Sequence, residues 1–163
     1  MKKIFFTLAV IGFIFSLIVH IYSLLGINLM GNAYMIGFIG IFIVFIPAIL
    51  ELRKDKDLIK NNNPAFFLKT IFKHTPNWLK LLTLIAFVYA IINFILFIKL
   101  SGGGVPSIID GKYVLQNHGD VIKNLSLEEY NMYKTNTIRG FSGHMIFFYV
   151  FSLAILYPFG KSR

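Results

Sequence analysis

Read for polarity alone, the chain falls into four long apolar stretches separated by short or strongly polar ones. Residues 4–25 are apolar almost throughout and follow Lys2-Lys3. Residues 33–50 repeat the pattern with Pro47 near the end, and residues 79–98 and 141–159 complete the set. About 20 apolar residues in a helix cross the hydrocarbon core of a bilayer, so each stretch predicts a spanning helix. The first run exceeds the roughly 7–15-residue core of a secretory signal and carries no small-x-small cleavage site, so it is expected to remain as an anchor. The brief uncharged link over residues 26–32 predicts that the first two spans form an antiparallel hairpin.

Small or weakly polar residues recur at helical spacing inside the spans. They are Gly12, Ser16 and His20 in the first, Ala33, Gly37, Gly40 and Val44 in the second, and Thr83, Ala86, Ala90 and Asn93 in the third. In lipid, helices associate where small residues let backbones approach and polar groups bond across the gap. These stripes are therefore the expected seams of a bundle, with the large Phe and Ile residues turned outward.

The polar segments differ from one another. Residues 51–78 form a basic loop holding Arg53, Lys54, Lys56, Lys60, Lys69 and Lys73, with Lys80 just beyond it. Asn61-Asn62-Asn63-Pro64 breaks this loop, and the mixture of Phe66, Phe67, Ile71 and Phe72 with Lys69 and Lys73 predicts a short helix at headgroup level. Thr75-Pro76 predicts a helix start with Pro at its first position, and Trp78 stands where an interfacial aromatic belongs. Residues 99–140 form the other polar segment. Ser101-Gly102-Gly103-Gly104-Val105-Pro106 is a hinge no helix can cross. Asp110-Gly111 between two short apolar runs predicts a β-hairpin, and Asn117-His118-Gly119-Asp120 predicts a second turn and a third strand. Ser126 with Glu129 three residues on is a capping box. No Pro follows until Pro158, so one long helix is expected from about Leu127 to Tyr157.

Composition agrees with the pattern: 56% of the 163 residues are hydrophobic, 14% are charged and the mean hydropathy is +0.71. Soluble domains carry about 25% charged residues. The net charge of +9 does not imply nucleic acid, because the basic residues lie between apolar runs rather than over one surface. Lys2, Lys3, the basic loop, Lys161 and Arg163 fall on one side of the four spans. Lys99, Lys112, Lys123, Lys134 and Arg139 fall on the other, diluted by Asp110, Asp120, Glu128 and Glu129. The side richer in Lys and Arg is cytoplasmic, so both termini are expected inside and the 99–140 segment outside. Absence of Cys excludes disulfides, thiolate metal sites and a Cys nucleophile.

Depth predicts that His20, Asn93 and His144 meet beneath the extracytoplasmic segment. Polar residues inside a membrane are costly, and such a cluster is a functional site by default. Two readings follow. The groups hydrogen-bond one another and fix helix register, or His20 and His144 hold a cofactor, haem b between two imidazoles or a quinone. His118, Asp120, Glu128 and Glu129 offer metal-ligand atoms but at no recognised spacing, which favours a solvated surface. Gly102-Gly103-Gly104 lacks the strand, helix and Lys-Ser/Thr of a phosphate loop and is expected to be a hinge. Asn124-Leu125-Ser126 fits a glycosylation acceptor only in a secretory pathway. Apart from Lys80 at the edge of the third, no Asp, Glu, Lys or Arg lies inside the spans, which argues against an ion-coupled transporter.

Several blocks in the second half resemble an uncharacterised family of small bacterial membrane proteins. They are Thr75-Pro76-Asn77-Trp78-Leu79-Lys80, Tyr89-Ala90 with Asn93-Phe94, and Gly111-Lys112-Tyr113-Val114-Leu115 with Asn117-His118-Gly119. Glu129-Tyr130, Arg139-Gly140-Phe141-Ser142-Gly143-His144 and Phe148-Tyr149 complete the likeness. The resemblance implies a bacterial inner-membrane location and no chemistry, and it draws attention to Asn93, His118, Arg139, Ser142 and His144. The expectation is an all-α membrane protein: a four-helix bundle with a long fourth helix and a small extracytoplasmic β-hairpin cap. Its expected role is a non-enzymatic component that presents the cap to a membrane-protein partner or assembles as a homo-oligomer. The alternatives are a redox-cofactor protein and a small transporter or channel.

Overall fold

The computed structural model describes residues 2–28, 34–54 and 63–157. The expected positions of Ala33, Lys56, Lys60, Lys161 and Arg163 therefore lie outside the described residues, as do most of the link between the first two helices and the break at Asn61-Asn62. Among the described residues five helices and three strands follow in order: α1 (Lys2–Leu24), α2 (Tyr34–Leu52), α3 (Pro64–Ile71), α4 (Asn77–Leu100), β1 (Val105–Ile109), β2 (Lys112–Asn117), β3 (Asp120–Asn124) and α5 (Leu127–Leu156). Helices α1, α2, α4 and α5 are each long and apolar enough to cross a membrane.

The bundle is organised around α5, which packs against α1, α2 and α4. Of its apolar stretch 72% is buried, against 22–28% for the other three, so those three share one central partner and turn their remaining faces outward. The small residues make this possible. The buried positions are Ala9, Ser16, Val19, His20 and Ser23 in α1, Tyr34, Gly37, Ile41, Val44 and Ala48 in α2, and Leu79, Thr83, Ala86, Ala90 and Asn93 in α4. Of the expected seams, Ser16, His20, Gly37, Val44, Thr83, Ala86, Ala90 and Asn93 are among them, and Gly12 and Gly40 are half-buried. Tyr149 of α5 is the key that fits the α1–α2 seam. Its hydroxyl donates to Gly37 O at 2.6 Å, and a Cβ on Gly12 would lie 2.1 Å from its ring.

The loop end of the bundle is closed by α3, whose Ile71 is buried with Ala48, Ile155 and Leu156. Helix α4 starts one residue later than the sequence predicts. Pro76 is the N-cap rather than the first helical residue, and the Thr75 hydroxyl donates to Ala154 O at 2.8 Å. That carbonyl belongs to the last turn of α5, where intrahelical donors run out, so Thr75 ties the start of α4 to the end of α5. Trp78 is exposed beside it.

At the opposite end the three strands form an antiparallel sheet of order β1-β2-β3. Asp110 and Gly111 take φ of 49° and 73°, the left-handed pair a two-residue hairpin requires. His118 and Gly119 do the same between β2 and β3, at φ of 51° and 97°. A bulge between Leu115 and Gln116, which sequence patterning does not anticipate, shifts the β2–β3 register. The capping box forms in full: Glu129 N donates to Ser126 Oγ at 3.1 Å and Ser126 N to Glu129 Oε2 at 2.9 Å. Thirty residues of α5 reach about 45 Å at 1.5 Å per residue, so its first turns stand beyond the apolar bundle and carry the sheet. The Tyr113 and Tyr130 rings meet at a tilt with their centres 4.9 Å apart. Lys123 bonds Glu129 at 3.0 Å and lies over the Tyr133 ring; the Glu129 contact holds its ammonium above the ordinary lysine range.

Candidate functional site

The polar residues at the cap end of the bundle separate into two sites on different faces of α5. The first joins α1, α4 and α5. His20, 4% exposed, places Nδ1 at 2.8 Å from Ser142 Oγ and Nε2 against the Tyr89 hydroxyl. Ser142 Oγ also lies 2.7 Å from Ile138 O. A carbonyl only accepts, so the single Ser142 hydrogen goes to Ile138 O. His20 Nδ1–H then donates to Ser142 Oγ, and the Tyr89 hydroxyl donates to His20 Nε2. Every member of this chain is satisfied, and both imidazole nitrogens are occupied. His20 thus ties α1 to both α4 and α5.

Asn93, 1% exposed, is the second cross-link. Its Nδ2 donates to Arg139 O at 3.1 Å and Gly140 O at 3.2 Å. Gly143 makes the approach possible, since a Cβ there would lie 2.2 Å from Asn93 Nδ2. Asn93 Oδ1 is buried with no hydrogen-bond partner among the described residues. One turn nearer the cap, Asn136 Nδ2 donates to Phe97 O at 3.2 Å, and Asn136 Oδ1 accepts from Arg139 Nη2 at 2.8 Å. Arg139 is half-buried and pairs with no carboxylate among the described residues.

His144 stands apart. Two residues beyond Ser142, it points roughly 200° away around a helix of 3.6 residues per turn. Its Nδ1 donates to Gly140 O at 2.8 Å, and its ring meets Phe94 edge to face at 5.4 Å. It lines a groove of about 260 Å³ between α2, α4 and α5 with Phe38, Phe94, Phe97, Gly140 and Phe148. The expected meeting of His20, Asn93 and His144 is thus replaced by two arrangements. Asn93 and His144 share the Gly140 carbonyl from different sides, and the His20 ring is turned to Ser142 and Tyr89. The two imidazoles therefore lie against different faces of α5.

Of the remaining expected residues, Ser142 and Arg139 belong to the α1–α4–α5 junction, whereas His118 is exposed at the tip of the second hairpin in the left-handed region. Its place there is accounted for by the turn. Sequence reasoning passes over Tyr89, because a tyrosine within an apolar run reads as one more aromatic. The available signal is spacing: Tyr89 precedes Asn93 by four residues and so shares its helix face.

The fold and these sites define a four-helix apolar bundle capped by a three-stranded sheet. No family model, no curated protein and no solved structure matches the chain.

Proposed function

We propose that this chain is an integral protein of a bacterial inner membrane, with both termini and the basic loop 51–78 cytoplasmic and the sheet on the opposite side. Its role is non-enzymatic: the bundle is an anchor that presents the sheet to another membrane protein. The observation that carries this reading is the way the sheet is mounted. It rides on the first turns of the most buried helix, held by the capping box, the Tyr113–Tyr130 ring contact and the Lys123–Glu129 pair. Strand β3, by contrast, is exposed at every residue and forms an open edge of the sheet. An open edge offers unpaired N–H and C=O groups to an incoming extended strand, and Val121 and Ile122 add exposed apolar side chains beside it.

Membrane residence is supported by the outward faces of α1, α2 and α4. Ile4, Ile11, Ile18, Ile36, Ile43, Leu84 and Ile91 are among many large apolar residues exposed there, far more than the few hundred Å² of apolar patch a water-soluble monomer carries. A photo-crosslinking residue in place of Val121 tests the role. On this reading it yields a discrete protein adduct in native membranes, while the same residue at Leu84 yields lipid adducts. Absence of any protein adduct from position 121 would contradict it, and an adduct of the chain with itself would make the partner a second copy.

A further inference from the structure

The groove around His144 is not used by the anchoring role. We infer that it binds the ring of a lipid-soluble quinol, one of whose hydroxyls donates to His144 Nε2. The inference rests on the membrane reading only in that the ligand's apolar tail lies outside the groove, along the outward faces of α2 and α4. Its basis is the tautomer. His144 Nδ1 faces the Gly140 carbonyl at 2.8 Å, which can only accept, so Nδ1 carries the hydrogen, and in the uncharged ring Nε2 then carries the lone pair. No described residue bonds Nε2. The remaining walls are phenylalanine rings and Gly140, so no other side chain of the groove offers that lone pair a donor, and half-buried His144 is open to a donor from outside the chain.

The occupant is defined by three features of the groove. Its volume of about 260 Å³ holds one substituted six-membered ring and falls short of the roughly 300–1,000 Å³ of sites that enclose a whole drug-sized ligand. Its walls present faces and edges of Phe38, Phe94, Phe97 and Phe148, which favour a flat ring in offset or edge-to-face contact. Its one polar side chain is His144, whose Nε2 is an acceptor in the uncharged ring. Hence the reduced ring, which carries O–H donors, is selected over the oxidised ring, which offers only carbonyl acceptors. The shared Gly140 carbonyl links this site to the bundle: Asn93 Nδ2 approaches it at 3.2 Å from the other side, holding the backbone that orients the imidazole.

The test uses full-length protein purified from the membrane fraction, kept anaerobic with excess reductant. The probe is a decyl-tailed benzoquinol, measured by equilibrium dialysis against empty micelles. Saturable binding of one quinol per chain is expected. Binding at least about tenfold weaker is expected for the oxidised quinone, for the quinol dimethyl ether, and for His144→Phe, which keeps the ring volume but removes the acceptor. His144→Gln, which restores an acceptor, should recover part of the loss. Equal binding of quinol and dimethyl ether to the unaltered protein would overturn the inference without reliance on any variant. So would a Soret band on adding haem that His144→Phe abolishes, which would assign Nε2 to iron. Protein that fractionates with membranes yet binds no quinol refutes this site alone, whereas protein that does not fractionate with membranes refutes the membrane reading.

Discussion

Ser142 has one hydroxyl hydrogen and three groups within reach of it, His20 Nδ1 and the carbonyls of Ile138 and Arg139, and which one receives it decides what His20 is for. Because the Ile138 carbonyl takes it, removing the hydroxyl strands the His20 Nδ1–H in an apolar junction. Ser142→Ala and Tyr89→Phe should each lower bundle stability by about 1 kcal/mol, and a double-mutant cycle between His20 and Ser142 should show coupling on the order of 0.6–1.7 kcal/mol, the range found for hydrogen bonds between helices in lipid. Stability is read from unfolding in mixed micelles; zero coupling would mean that the two groups do not bond. The same geometry distinguishes two cysteine pairs in a chain with no native Cys. His20→Cys with Ser142→Cys should cross-link, and His20→Cys with His144→Cys should not. At Gly143 even a methyl group meets Asn93 at 2.2 Å. Gly143→Ala should therefore cost about 1–3 kcal/mol, while Lys112→Ala on the exposed sheet should be nearly neutral.

At the scale of elements, the seams explain why two short polar patterns, one in α1 and one in α4, point at the same partner. Ser16, His20, Thr83 and Asn93 are small or compact enough to sit against α5, and Gly12 and Gly40 admit Tyr149 between α1 and α2. Gly12→Leu should loosen this hairpin selectively, seen as faster hydrogen exchange in α1 and α2 with the sheet unchanged. The seams, the capping box and the Asp110-Gly111 turn were legible in the sequence, because each follows from local spacing or from a residue's own backbone preference. The pairing inside the junction was not. Ser142 and His144 differ by two positions on a helix whose depth can be read but whose rotation cannot, and that rotation is set by side chains from three other helices. The β2 bulge was hidden for a similar reason, since it is a property of two strands in register and not of either alone. Ser126→Ala tests the local part: loss of the cap should cost about 1 kcal/mol and release the sheet from α5, measured by exchange at Tyr113 and Tyr130.

For the molecule as a whole, the central asymmetry is that α5 does two jobs. Its apolar part is the post around which the other helices stand, and its polar first turns are the mount for the sheet. The proposed function depends on these ends lying on opposite sides of a bilayer, which the charge distribution predicts and the apolar outward faces support. An impermeant thiol reagent applied to intact spheroplasts measures this directly, using His118→Cys at the hairpin tip and Lys54→Cys beyond α2. The account predicts that the first is labelled at once and the second only after the membrane is opened. Labelling of Lys54→Cys in intact spheroplasts with His118→Cys protected would reverse the topology and contradict the presentation of the sheet to an outside partner.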